Sequence, residues 1–239
     1  MRQVWRQSLN RIASICLCLL PLAAQAEIKS ATYTDQTTRY SHAILGDALE
    51  WGALRLQLSD GSAIKLTLPE SRVFEDLTPR LVDVDLDGDA EVISIETSLT
   101  QGARLSIYDE TGLVAATPYI GRTHRWLAPI GAADLDGDGL IEIAYIDRPH
   151  LAKTLLVWRV SNGELVEVAA KAGLTNHRIG WDIIPGGIRD CGDGPEMITA
   201  SGAWTHIVTT RLNINGQLTS KELAPYEGPE SLDAAVNCP

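Results

Sequence analysis

The stretch RLVDVDLDGDAEVI at residues 80–93 returns as AADLDGDGLIEI at residues 132–143, with its acidic positions 51 residues further on. Asp83, Asp85, Asp87, Gly88 and Glu91 fall on Asp134, Asp136, Asp138, Gly139 and Glu142. A shared D-x-D-x-D-G-x-x-E pattern at a fixed period is the signature of a repeat architecture. Working outward, each acidic loop runs into a β-branched segment beginning at Glu91 or Glu142. A second segment follows, RLSIY from Arg104 and TLLVW from Thr154, and then a tight turn at Gly112 or Gly163. Asn162 before Gly163 is a strong hairpin signal. Gly61 and Gly216 repeat this punctuation at each end, and Glu50 and Glu196 open comparable segments. Units of about four short strands recurring every 40 to 55 residues predict an all-β radial fold, a β-propeller of about four blades. The expected repeats are roughly 37–78, 79–123, 124–176 and 177–224, followed by a tail at 225–239 that has no counterpart. No amphipathic helix of useful length is evident; Leu165 to Ala172 is the nearest candidate.

The acidic loops carry the clearest chemistry. Aspartates at alternate positions put three carboxylates on one side of a turning chain, glycine at the sixth position permits the bend, and the ninth-position glutamate returns a fourth carboxylate. Hard oxygen donors without histidine or cysteine select calcium over zinc or copper. The first site would use Asp83, Asp85, Asp87, the Asp89 carbonyl and Glu91; the second would use Asp134, Asp136, Asp138, the Leu140 carbonyl and Glu142. Two calcium ions are therefore expected, the alternative being solvated Asx-rich turns without metal. An EF-hand is disfavoured, since it would carry its glutamate at the twelfth position between helices. The outer units have lost the ligands. His42, Ile44 and Gly46 stand at the aspartate positions of the first, and Ile188, Asp190 and Gly192 at those of the fourth.

This motif between inner strands resembles the FG-GAP/VCBS repeat family, the blade type of integrin α-chain propellers. The resemblance covers most of the chain after the leader, through two strong and two degenerate repeats. It implies a propeller fold and calcium. It says little about activity, because many bacterial members are exported proteins of unknown role. Family propellers commonly have more blades than this chain has length for, so closure as a four-bladed ring is expected, with an open arc completed by a partner as the alternative.

An arginine precedes each loop, Arg39, Arg80, Arg125 and Arg178, with His124, Trp126, His177 and Trp181 as neighbours. Equivalent positions of a propeller form a ring, and a ring of guanidinium and aromatic groups at one mouth would bind an anion or a sugar by bidentate hydrogen bonds and stacking. The competing reading is structural, with arginine tying blades together through acidic partners. No nucleophile elbow, zinc-protease helix motif or phosphate-binding glycine loop is present, so no catalytic residue is assigned.

Residues 1–26 read as a cleaved secretory leader: Arg2, Arg6 and Arg11, an apolar run from Ile12 to Ala24, and a small-residue cleavage site at Ala24 to Ala26. Residues 27–239 then form a single propeller domain, periplasmic or secreted, with no further membrane span. Cys191 and Cys238 remain after cleavage and are expected to pair in an oxidising compartment. The chain has 20 Lys plus Arg against 31 Asp plus Glu, a net charge of −11, which argues against nucleic acid as a partner. The expected role is an exported calcium-binding propeller acting as a non-catalytic binding module for a protein or glycan. The alternative is a calcium-stabilised hydrolase or lyase acting on a carbohydrate or ester in the channel.

Overall fold

The computed structural model describes residues 26–238, so the expected leader lies outside the described residues up to Ala26. Among the described residues there are three antiparallel sheets and one short helix. The first sheet contains β1 (Ile28–Thr37), β2 (Glu50–Leu58), β3 (Ala63–Thr67), β4 (Arg72–Phe74), β5 (Arg80–Val82), β6 (Glu91–Ser98), β7 (Gly102–Asp109) and β8 (Gly112–Ala116). The second contains β9 (Leu127–Ala133), β10 (Glu142–Asp147), β11 (Thr154–Ser161) and β12 (Glu164–Ala172). The third contains β13 (Leu174–Thr175), β14 (Gly187–Asp190), β15 (Pro195–Ser201), β16 (His206–Leu212) and β17 (Leu218–Pro225), and the helix α1 (Pro229–Val236) follows it.

The repeat shows in the pairing. β5-β6-β7-β8 and β9-β10-β11-β12 are equivalent meanders, and β14-β15-β16-β17 is a third. The glutamate that ends each acidic loop is the first residue of the second strand in both strong repeats. The hairpin glycines lie where the sequence places them. At the β11–β12 turn Asn162 and Gly163 both take positive φ, 53° and 77°, as a tight two-residue turn with right-handed strand twist requires. The residues nearest a helical pattern, Leu165 to Ala172, lie in strand β12 instead. The chain's described helix is α1, in the tail.

None of the sheets closes on itself. The first two expected units form one continuous sheet, because β4 pairs with β6 and also meets β2 at Trp51 and Phe74. Burial grades across each meander. β6 and β10 are buried on both faces, while the outer strands β3 and β12 are largely exposed. The main core draws Ile93, Leu105 and Ile107 from the first sheet, Leu127, Ile146 and Leu155 from the second and Met197 from the third. One apolar cluster thus joins all three sheets, and burial of each such side chain contributes about 1.5–3 kcal/mol.

The tail is pinned in two ways. Leu232 of α1 is fully buried against Ile198, Ala200 and Ile207. A Cys191–Cys238 disulfide joins the tail to the degenerate acidic loop of the last unit.

Candidate metal centres and the histidine-lined mouth

The two acidic loops take the same local course. Gly88 and Gly139 sit at φ 101° and 87°, a conformation that glycine adopts without steric cost. That turn aims the backbone inward, so the first aspartate accepts from the sixth-position amide: Gly88 N–H to Asp83 Oδ2 at 3.1 Å, and Gly139 N–H to Asp134 Oδ2 at 3.0 Å. The ninth-position glutamates reach back to the second-position amides, Val84 to Glu91 at 2.9 Å and Leu135 to Glu142 at 2.8 Å. Two triads result, Asp83–Asp85–Glu91 and Asp134–Asp136–Glu142, each with ligand oxygens within 4.8 Å of one another.

In the first loop each carboxylate keeps one oxygen without a protein donor among the described residues. The bonded atoms are Asp83 Oδ2, Asp85 Oδ1, Asp87 Oδ1 and Glu91 Oε2. Asp83 Oδ1 is buried without any partner. An orphaned buried carboxylate oxygen is costly unless a cation satisfies it, so the donor set fits a hard divalent ion. Burial, joined by the charges of Asp85, Asp87 and Asp83, pushes Glu91 up to about 7, which registers the same uncompensated charge. Asp109 and Glu110 face this loop across a cavity of about 420 Å³ and make it more acidic still. In the second loop the guanidinium of Arg159 enters from β11, 2.5 Å from Glu142, 2.9 Å from Asp136 and 2.8 Å from Asp138. Asp89 and Leu140, expected to offer carbonyls, occupy the seventh loop positions, where their amides bond to Asp87 and Asp138.

Among the described residues the fourth unit forms no such cluster. Its Glu196 is held by Arg189 at 2.6 Å and Arg211 at 3.2 Å.

Four loops meet at one end of the molecule. Gly180 N–H donates to Ile44 O at 3.0 Å, Arg148 N–H to Trp126 O at 3.0 Å and His124 N–H to Tyr40 Oη at 2.8 Å. Gly102, at φ 76°, lets the β6–β7 turn approach the chain at Arg122 and Arg125, where a Cβ would lie 2.3 Å from Arg122 O. Between the loops lies a cavity of about 350 Å³ lined by His42, His124, Arg125, Trp126, Arg148 and His150, among others. Ala43, His124 and Arg148 all take positive φ. Such strain in non-glycine residues persists only where surrounding contacts impose it, and it gathers at functional sites.

Of the expected ring, the structure brings His124, Arg125 and Trp126 to this cavity, with buried His177 behind them, 4.9 Å from the Trp126 ring. Arg178 stacks 4.5 Å over Trp204 beside Trp181, extending the mouth as an aromatic shelf. Arg39 and Arg80 lie elsewhere. Arg39 bonds to Arg72 O and Glu70, and Arg80 is tied to buried Asp76 at 2.7 Å. Sequence reasoning missed His42, His150, Glu75 and Arg159. For Arg159 a signal existed, since an arginine recurs just ahead of the hairpin glycine in two units, as Arg159 and Arg211.

Glu75 is fully buried and lies 2.5 Å from His42 Nδ1, with Thr97 donating to its other oxygen at 2.6 Å. Burial favours the neutral form of both partners. Glu75 is pushed up to about 8, and His42 down to about 4 by burial and then by Arg125. Burial thus disfavours the charged form of each partner, and the ring tautomer decides which of Glu75 Oε1 and His42 Nδ1 donates. Glu50 nearby is raised to about 9 by burial, then by Glu75, Asp47 and Asp76. Carboxyls with raised folded values stabilise most below their ordinary value near 4.5 and lose that contribution as pH rises through about 8 and 9. Below about pH 6.5 the lowered His42, His150 and His177 oppose this trend, so the melting temperature is expected to fall from about pH 7 to pH 9, and a Glu50→Gln variant should show a shallower fall in a pH series of thermal melts.

Residues 83–145 match the family model of the FG-GAP-like repeat. The matched span begins at the first aspartate of the first acidic loop and ends inside β10, so it holds both loops. No curated protein matches the chain.

Proposed function

We propose that this chain, whose residues 83–145 match the FG-GAP-like repeat, is an exported calcium-stapled β-propeller of four blades that acts as a non-catalytic binding module. The observation that carries the calcium reading is the first acidic loop, where Asp83, Asp85, Asp87 and Glu91 each keep one free oxygen and that of Asp83 is buried. When bound, calcium would neutralise converging carboxylates and tie the inner strand to the next one. Ring closure is supported by the Gly180–Ile44 hydrogen bond, which links the last unit to the first at the mouth. The charge pattern of residues 1–26 supports export.

The mouth is the proposed binding surface. Arg125 makes no ion pair among the described residues, and Arg178 rests on an indole. Guanidinium groups beside aromatic faces suit an acidic glycan or an acidic protein segment. Capture of exported glycans and proteins on the immobilised chain, compared with Arg125→Ala and Arg178→Ala, tests this. Capture undiminished in both variants would place binding elsewhere.

Calcium has its own expected result. For a dissociation constant of about 0.1 mM, about 2 mM calcium stabilises an occupied site by roughly 1.8 kcal/mol. Chelation should lower the melting temperature by several degrees, and Asp83→Asn with Asp85→Asn should abolish that difference. An unchanged melt on adding millimolar calcium to wild type would refute the staple.

One observation favours a second reading. The His42–Glu75 pair presents a histidine anchored by a buried carboxyl to the mouth cavity, an arrangement suited to general acid–base chemistry on a carbohydrate or ester. Hydrolase or lyase turnover lost in His42→Gln, with melting unchanged, would support it.

A further inference from the structure

The two acidic loops share one motif, yet their carboxylates are satisfied differently. In the second loop every side-chain oxygen of the four acidic residues has an amide or guanidinium partner. Asp134 accepts from the Gly137 and Gly139 amides, at 2.8 and 3.0 Å. Asp136 accepts from the Asp138 amide at 3.2 Å and from Arg159 at 2.9 Å. Asp138 accepts from the Leu140 amide at 2.9 Å and forms an ion pair with Arg159 at 2.8 Å. Glu142 accepts from the Leu135 amide at 2.8 Å and from Arg159 at 2.5 Å. Arg159 thus takes the three oxygens whose counterparts in the first loop, on Asp85, Asp87 and Glu91, have no protein donor among the described residues.

Strand register explains the difference. Arg159 faces Glu142 directly across β10 and β11. The same position beside the first loop is one residue beyond the Val92–Tyr108 pair and holds Asp109, which adds negative charge. Beside the fourth unit it is one residue beyond the Met197–Thr210 pair and holds Arg211, which joins Arg189 in clamping Glu196. The cross-strand residue therefore runs from acid to arginine as the loop goes from uncompensated to fully compensated.

We propose that Arg159 takes the cation's place in the second loop, so that the wild-type chain binds one calcium ion, at Asp83, Asp85, Asp87 and Glu91. The inference rests on the calcium reading above. It corrects the expectation of two equivalent ions, because a guanidinium and a calcium ion compete for the same carboxylate oxygens, and the guanidinium is held at high effective concentration by its own strand. Planar, multidentate donation makes arginine suited to this substitution where lysine would not be.

Calorimetric titration of the full chain with calcium chloride, with ion counting by native mass spectrometry, tests it. Wild type should bind one ion, and Arg159→Gln should bind two. Asp85→Asn should bind none, and Asp136→Asn should still bind one. Two ions on wild type, or no gain in Arg159→Gln, would overturn the proposal. Should Arg159→Gln fail to fold without calcium, Asp136→Asn remains decisive, since loss of an ion in that variant overturns the proposal equally. Wild type binding none while Arg159→Gln binds one would sink the calcium reading of the first loop and leave the role of Arg159 standing.

Discussion

Glu96→Ala is expected to cost about 3–5 kcal/mol, which lowers the melting temperature by on the order of 10 °C for a domain of this size. Glu96 is fully buried in β6 and receives Arg72 at 2.8 Å, Arg104 at 3.0 Å and Tyr119 at 2.7 Å, with Tyr108 donating as well. Burial alone would raise its pKa, but the Tyr108, Tyr119 and Arg104 contacts outweigh it and hold the carboxyl below its ordinary value. Truncation leaves the largely buried Arg104 guanidinium and the Tyr108 hydroxyl facing an apolar gap, and the cost of those orphaned groups exceeds the value of the bonds themselves. Glu96→Gln retains the shape and should cost less. Because the folded pKa is depressed, the contribution is full above the unfolded value and lost as pH falls through the folded one. Thermal melts of both variants check this, and an alanine variant that melts with wild type would contradict the network.

Reduction of the Cys191–Cys238 bridge should have a comparable effect. The bridge closes a separation of 47 residues. In the chain-entropy view that constraint is worth roughly 4 kcal/mol, and engineered cases often deliver less. The local consequence adds to the global one. The freed tail would release Leu232 from Ile198 and Ile207, the Asp233 carboxylate from the Gly186 amide and the Ala235 carbonyl from Arg189. Melting of Cys238→Ala or of reduced protein should fall by several to about 15 °C. Thiol counting on unreduced protein lacking the leader should give none, and two free thiols would remove the premise.

Local chemistry explains why the acidic loops and hairpin turns are legible in the sequence. Alternating aspartates, a glycine that takes positive φ and an Asn–Gly pair act over a few residues, so spacing alone specifies the backbone course they take. Their repetition at a fixed interval then carries the all-β meander and the order of its strands. The Cys191–Cys238 pairing was equally readable, because only these two cysteines lie outside the expected leader.

Register and packing decided the rest. Nothing within a few residues of Arg159 tells it to fill the second loop; the Glu142–Arg159 cross-strand pair does, and a one-residue slip would turn the side chain to the opposite face. His42, His124 and His150 show no spacing that groups them, since three separate loops must meet before they share a cavity. Glu75 and Glu96 read as ordinary acids until folding buries one against His42 and gives the other a set of arginine and tyrosine partners. By itself the sequence determined the repeat, its turns and the oxygen donors its acidic loops offer, because those depend on backbone conformation and residue type over short range. Which loop keeps free oxygens, and which residues face the mouth, depends on contacts between residues far apart in the chain. Only the tertiary structure brings those groups within hydrogen-bonding distance.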